Sequence, residues 1–140
     1  KHRRSISGAL LCTRLRRSLY KSMFRNYAVQ IMTPDEFREI ALGFPEAEES
    51  SHMNHPDFRV GGKIFATLSP DLTQGMAKLT PTDQQEFLRI DSDSFKPASG
   101  AWGTGGATMI LLINADESDV RRALAAAWRN VAPKNIADAR

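Results

Sequence analysis

Two histidines three residues apart, His52 and His55, stand among Glu46, Glu48, Glu49 and Asp57 in the stretch EAEESSHMNHPDFRV. Such spacing can bring two imidazoles onto one metal ion when the segment is a helix or a tight turn. Pro56 and the strand-forming residues after it argue against a helix. With Cys12 the one cysteine of the chain, a further ligand would have to be a carboxylate of the same loop. A polar loop or strand edge is the expectation, with no metal. The second group is glycine: Gly100, Gly103, Gly105 and Gly106 in SGAWGTGGATMILLI. A dinucleotide cradle must follow a strand and open a helix, whose N-terminus receives the pyrophosphate. Here the glycines follow a Pro-containing stretch and run into a strand. A phosphate loop of the Gly-Lys-Ser/Thr kind is also excluded, because no Lys occurs between Lys96 and Lys134. A flexible loop entering a strand is expected, and no cofactor.

No nucleophile–base pair stands out. Asp91 and Asp93 form a D-x-D of the sort common at helix ends, and the chain reads as non-enzymatic. The remaining chemistry is cationic. In the hairpin outlined below, Lys63 lies on the same face as Phe58, Val60 and Phe65, Arg59 points to the other face, and Lys78 sits on the next strand. Cations beside aromatic rings can hold a phosphate backbone while bases stack. The competing reading is a core face with lysine stems at its rim.

These residues must be positioned by short elements. Thr33, Pro34 and Glu36 make a capping box with proline in the first turn, and Phe37, Ile40, Ala41 and Phe44 follow helical spacing, which predicts a helix over 34–43. Gly61-Gly62 between DFRV and KIFATL predicts a two-residue hairpin, pairing Val60 with Lys63, Arg59 with Ile64 and Phe58 with Phe65. GMAKLT, residues 75–80, predicts a third strand, and Thr80, Pro81 and Asp83 start a helix over 81–90. ATMILLIN predicts an apolar, central strand. DESDVRRALAAAWRNVA predicts the longest helix, with acids at its start, Arg129 near its end and Pro133 stopping it. The order α-β-β-β-α-β-α lacks βαβ alternation, so an α+β fold is expected, an antiparallel sheet with helices packed on one side.

The net charge of +3 conceals a split. Residues 1–31 hold eight Lys or Arg and no acid, +8, while residues 32–140 hold 11 basic and 16 acidic residues, −5. The segment 1–31 is read as a basic extension, disordered or non-native, ahead of a single domain over 32–140. Its Arg- and Ser-rich, acid-free composition, with Leu11, Leu15, Leu19, Met23 and Tyr27 every four residues, would also suit a transit peptide or an anionic membrane surface. No apolar run approaches the roughly 20 residues that span a bilayer.

The segments MTPDEFREIALGFPEAEE, HPDFRVGGKIFATL, MAKLTPTDQQEFL, GAWG and AWRNVAPK together resemble the MmcQ/YjbR family, from Met32 to about Ala137. The resemblance implies a CyaY-like (frataxin-like) fold and a small cytoplasmic protein of a kind labelled DNA-binding. The positions that recur are Phe58, Lys63, Phe65, Lys78, Trp102 and Pro133-Lys134. Relatives usually carry an aromatic residue shortly after Trp102, where this chain has Gly105-Gly106-Ala107. On this basis the expected function is DNA binding with little base specificity. Arg59, Lys63, Lys78 and Lys134 would contact phosphates, and Phe58, Phe65 and Trp102 would stack or line a pocket. The alternative is a small-ligand, metal or protein-interaction module that uses an acidic helix face of Asp35, Glu36 and Glu39.

Overall fold

Helix starts depend on neighbours within one turn, and here they form where the local grammar places them. The structure, a computed structural model, describes residues 32–138. The basic segment 1–31 lies outside the described residues. Helix α1 (Pro34–Leu42) begins with a complete capping box: the Thr33 hydroxyl accepts from the Glu36 N–H at 3.1 Å, and the Glu36 carboxylate accepts from the Thr33 N–H at 2.9 Å. Helix α2 (Pro81–Ile90) is capped by Thr80, and its C-terminal Asp91 binds the Ser94 hydroxyl and the Asp93 N–H, a structural use of the D-x-D. The long helix α4 (Glu117–Val131) is capped by Asp116.

Six strands form one sheet: β1 (Glu48–His52), β2 (His55–Val60), β3 (Lys63–Leu68), β4 (Gln74–Lys78), β5 (Phe95–Pro97) and β6 (Ala107–Leu111). Two short helices, α3 (Gly100–Thr104) and α5 (Lys134–Ala137), complete the order α1-β1-β2-β3-β4-α2-β5-α3-β6-α4-α5. The fold is α+β, and every neighbouring strand pair is antiparallel, in the spatial order β1-β2-β3-β4-β6-β5. The expected order α-β-β-β-α-β-α omitted four elements. Strand β1, EESSH, is an almost wholly exposed edge and carries no apolar alternation. Strand β5 has three residues, and α3 and α5 are five and four residues long, below the length at which periodicity is readable. Strand β6 is interior but next to the edge, and the centre is β3 and β4.

The Gly61-Gly62 hairpin forms with both glycines at positive φ, 60° and 82°. Val60 pairs with Lys63 and Arg59 with Ile64 as expected, but the register then slips and Phe58 pairs with Ala66. Phe65 is the extra residue, so the expected Phe58–Phe65 pairing is lost to a β-bulge.

Pairing assigns faces, because directly opposed antiparallel residues point the same way. Phe58, Ala66, Ala77, Gly75, Ile110 and Phe95 share one face through successive pairs. The Phe37 ring of α1 packs on Phe58 and against Gly75, and Phe87 of α2 packs on Phe95. Trp128 of α4 stacks on Phe44, which meets Phe65 edge-on. Helices α1, α2 and α4 therefore cover one side of the sheet around a single core. The other side carries Asp57, Arg59, Ile64, Thr67, Met76, Met109 and Lys96.

Candidate functional site

The aromatic half of the expected site divides sharply. Phe58 and Phe65 have no exposed surface, and both belong to the core. They are not available for stacking on a ligand. Their strand positions place them on the helix-covered face, so the alternating pattern that aligned them with Lys63 marks a core face with lysine at its rim. Trp102, in contrast, is 69% exposed.

The cationic half is assembled from distant segments. Lys63 opens β3 directly after the Gly61-Gly62 turn, and a side chain at Gly61 would collide with the Pro133 ring. Lys134 follows Pro133, so it is anchored beside that turn. Lys78 ends β4, whose Ala77 pairs with Ala66, at the same end of the sheet as the start of β3. The Asn130 amide near the end of α4 donates to the Lys78 carbonyl at 2.8 Å, which joins the C-terminal end of α4 to this edge. Lys63, Lys78 and Lys134 thus lie at one end of the sheet, all exposed, with Lys63 on the helix-covered face beside Val60 and Lys78 on the opposite face beside Met76. Trp102 belongs to the same end: Lys78 pairs with Ala107 three residues beyond α3, and the buried Gln84 amide donates to both the Gly103 and Ala107 carbonyls at 3.0 Å.

Arg59 is placed differently. It lies on the opposite face, where its Nε donates to Asp57 Oδ1 at 2.8 Å and its Nη2 to Oδ2 at 3.0 Å. A bidentate pair of this kind largely neutralises the guanidinium and holds its orientation, so Arg59 serves a carboxylate before it can serve a phosphate.

That carboxylate is the feature that reading the sequence missed. Asp57 has no exposed surface and also receives His52 Nδ1 at 2.7 Å, while the Arg59 and His52 side chains above it are about a third exposed. His52 and His55 flank a two-residue turn, Met53-Asn54, with φ of 50° and 68°, and their rings lie 4.6 Å apart. The His55 Nδ1 is buried without a hydrogen-bond partner among the described residues. No three His, Cys, Asp or Glu side chains among the described residues converge to hold a metal ion. The available signal was the alternation His55, Asp57, Arg59, which puts all three on one strand face.

Hydrogen bonds from Arg59, more than those from His52, hold the Asp57 carboxyl below its ordinary value near 3.8 despite the opposing effect of burial. A depressed folded-state pKa supplies stability above the unfolded-state value and loses it as pH falls toward the folded value. Stability should therefore fall below about pH 4, and Asp57→Asn should flatten that limb. Asp71, held down chiefly by the Ser69 hydroxyl, titrates in the same window. The contribution of Asp57 is accordingly the difference between wild-type and variant urea midpoints measured across the acid range. Parallel curves would refute it.

The acidic face of α1 is mostly committed. Asp35 pairs with Arg38 at 2.8 Å, Arg38 also reaches Glu49, and Glu36 closes the capping box. Glu39 lines a shallow depression with Glu36, Ile40, Glu117 and Arg121. In the glycine segment, the expected flexible loop is instead the ordered helix α3.

Comparison with known proteins finds a family and a similar solved structure. A family model described as YjbR matches residues 42–130. The crystal structure of the Deinococcus radiodurans protein DR2400, with a domain described as DUF419, is similar with a TM-score of 0.63 at 17% identity, covering 78% of this chain and 85% of that one. At that identity the likeness establishes a shared fold. No curated protein matches.

Proposed function

The chain belongs to the YjbR family, and from that premise we propose that it binds the phosphate backbone of DNA, without catalysis and with little base specificity. The observation that carries this reading is the gathering of Lys63, Lys78 and Lys134, from three separate segments, at the end of the sheet that also presents Trp102. Because residues 32–140 are net −5, attraction must come from such a local cluster rather than from overall charge. The reading is non-enzymatic: the His52 ring and the Arg59 guanidinium both hydrogen-bond the buried Asp57 carboxylate, a pairing that serves structure. The one-sided layering of helices on the antiparallel sheet supports a CyaY-like assignment within the same proposal. Among the described residues no helix is long and apolar enough to cross a membrane, and the proposal places the protein in the cytoplasm.

The test is a salt titration of duplex binding, comparing the full chain with its Lys63→Ala/Lys78→Ala/Lys134→Ala variant. Residues 1–31 are identical in both, so the difference belongs to the three lysines. Each phosphate contact contributes about 0.9 to the slope of log K against log salt, so the slope should fall by roughly 2 to 3. Equal slopes would sink the proposal.

A further inference from the structure

We propose that Trp102 is a stacking platform for an unpaired base, so that the basic end, beyond its backbone contacts to duplex, binds single-stranded nucleic acid through a base as well as its phosphates. This rests on the backbone-binding reading above and goes beyond it by naming the strand state.

The backbone that carries this indole is closely packed. Gly100, at a φ of 71°, opens α3. A side chain at Gly103 would collide with the Ala98 carbonyl, and one at Gly106 with the Leu79 carbonyl, so the backbone on the C-terminal side of Trp102 is packed directly on its neighbours. Gln84, 4% exposed, ties Gly103 and Ala107 to α2 through its two amide protons. The segment is therefore clamped at several points while the indole stays 69% exposed. A large ring held in water loses the burial energy that usually places tryptophan inside. A ring carried outward on a fixed backbone is open to a planar partner, and little backbone ordering remains to be lost on binding.

The lysines choose the partner. A planar group next to a chain of phosphates is a nucleotide, and an indole can lie flat on a base only when that base is out of the duplex stack. Stacking is tolerant of base identity, because every base has a π-face.

The chain contains two tryptophans, and the other, Trp128, is 5% exposed with its N–H donating to the Pro45 carbonyl at 2.9 Å. Quenching of indole emission by bound bases therefore reports Trp102. Titrating the full chain with oligothymidine should quench the emission. Trp102→Ala should weaken strand binding on the order of 10-fold or more, leave the salt slope and duplex binding in place, and be partly rescued by Trp102→Phe. Unchanged strand affinity in Trp102→Ala would overturn the inference and leave the backbone reading standing. Equal losses on strand and duplex would indicate a wedge between stacked pairs and would also overturn it. A lysine variant whose salt slope matches wild type for both ligands would instead remove the backbone reading, and this inference with it.

Discussion

Gly106→Ala is expected to destabilise the domain by about 4 kcal/mol or more, at the upper end of single-residue effects. Two independent penalties combine. Gly106 has a φ of 118°, a conformation that residues with a Cβ avoid. In addition, a Cβ there would collide with the Leu79 carbonyl oxygen and lie 2.9 Å from the carbonyl carbons of Leu79 and Thr80. These are backbone atoms at the junction of β4 and α2, so no side chain can rotate aside to make room. Gly62→Ala is the matched control: its φ is 82°, but nothing lies within 4 Å of the added atom, so only the conformational strain of about 1 kcal/mol remains. Urea denaturation followed by far-UV circular dichroism measures both. Equal midpoints for the two variants would contradict this account. Position 106 of this chain therefore has room for no side chain.

Phe65→Ala should cost about 3–5 kcal/mol, the range for emptying a buried aromatic site. Phe65 has no exposed surface, meets the Phe44 ring edge-on with centroids 6.3 Å apart, and occupies the bulge that shifts the β2–β3 register. Its removal leaves a cavity where strands and helices meet, and the constrained bulge limits collapse into it. The milder Phe65→Leu should retain the fold and leave the salt dependence of the proposed DNA binding unchanged, whereas a stacking residue would lose affinity without losing stability. Calorimetric unfolding and the salt titration together decide between these roles. A Phe65→Ala protein with native stability would place the ring outside the core.

The pattern behind these results is uneven. Helix starts at Thr33, Thr80 and Asp116, and the Gly61-Gly62 turn, were legible because each depends on neighbours a few residues away. Strand β1 was not legible, because an exposed edge strand has no buried face and so no alternation to read. Lys63, Lys78, Lys134 and Trp102 were visible as residue types, but nothing in their spacing indicated that they share one end. Arg59 was visible as a cation, and its bidentate pairing with buried Asp57 was not.

By itself, the sequence determined the α+β class, the starts of the three principal helices, the Gly61-Gly62 turn and the family to which its motifs point. Tertiary structure alone decided that Phe58 and Phe65 are core, that Trp102 is exposed, and that the basic residues divide between an open end and a carboxylate clamp. The reason is physical. Caps and tight turns are satisfied by hydrogen bonds and φ values within about four residues. Burial and charge environment depend instead on pairings such as Asn130 with Lys78, 52 residues apart, and Trp128 with Pro45, 83 residues apart, which exist only once the sheet and α4 have packed.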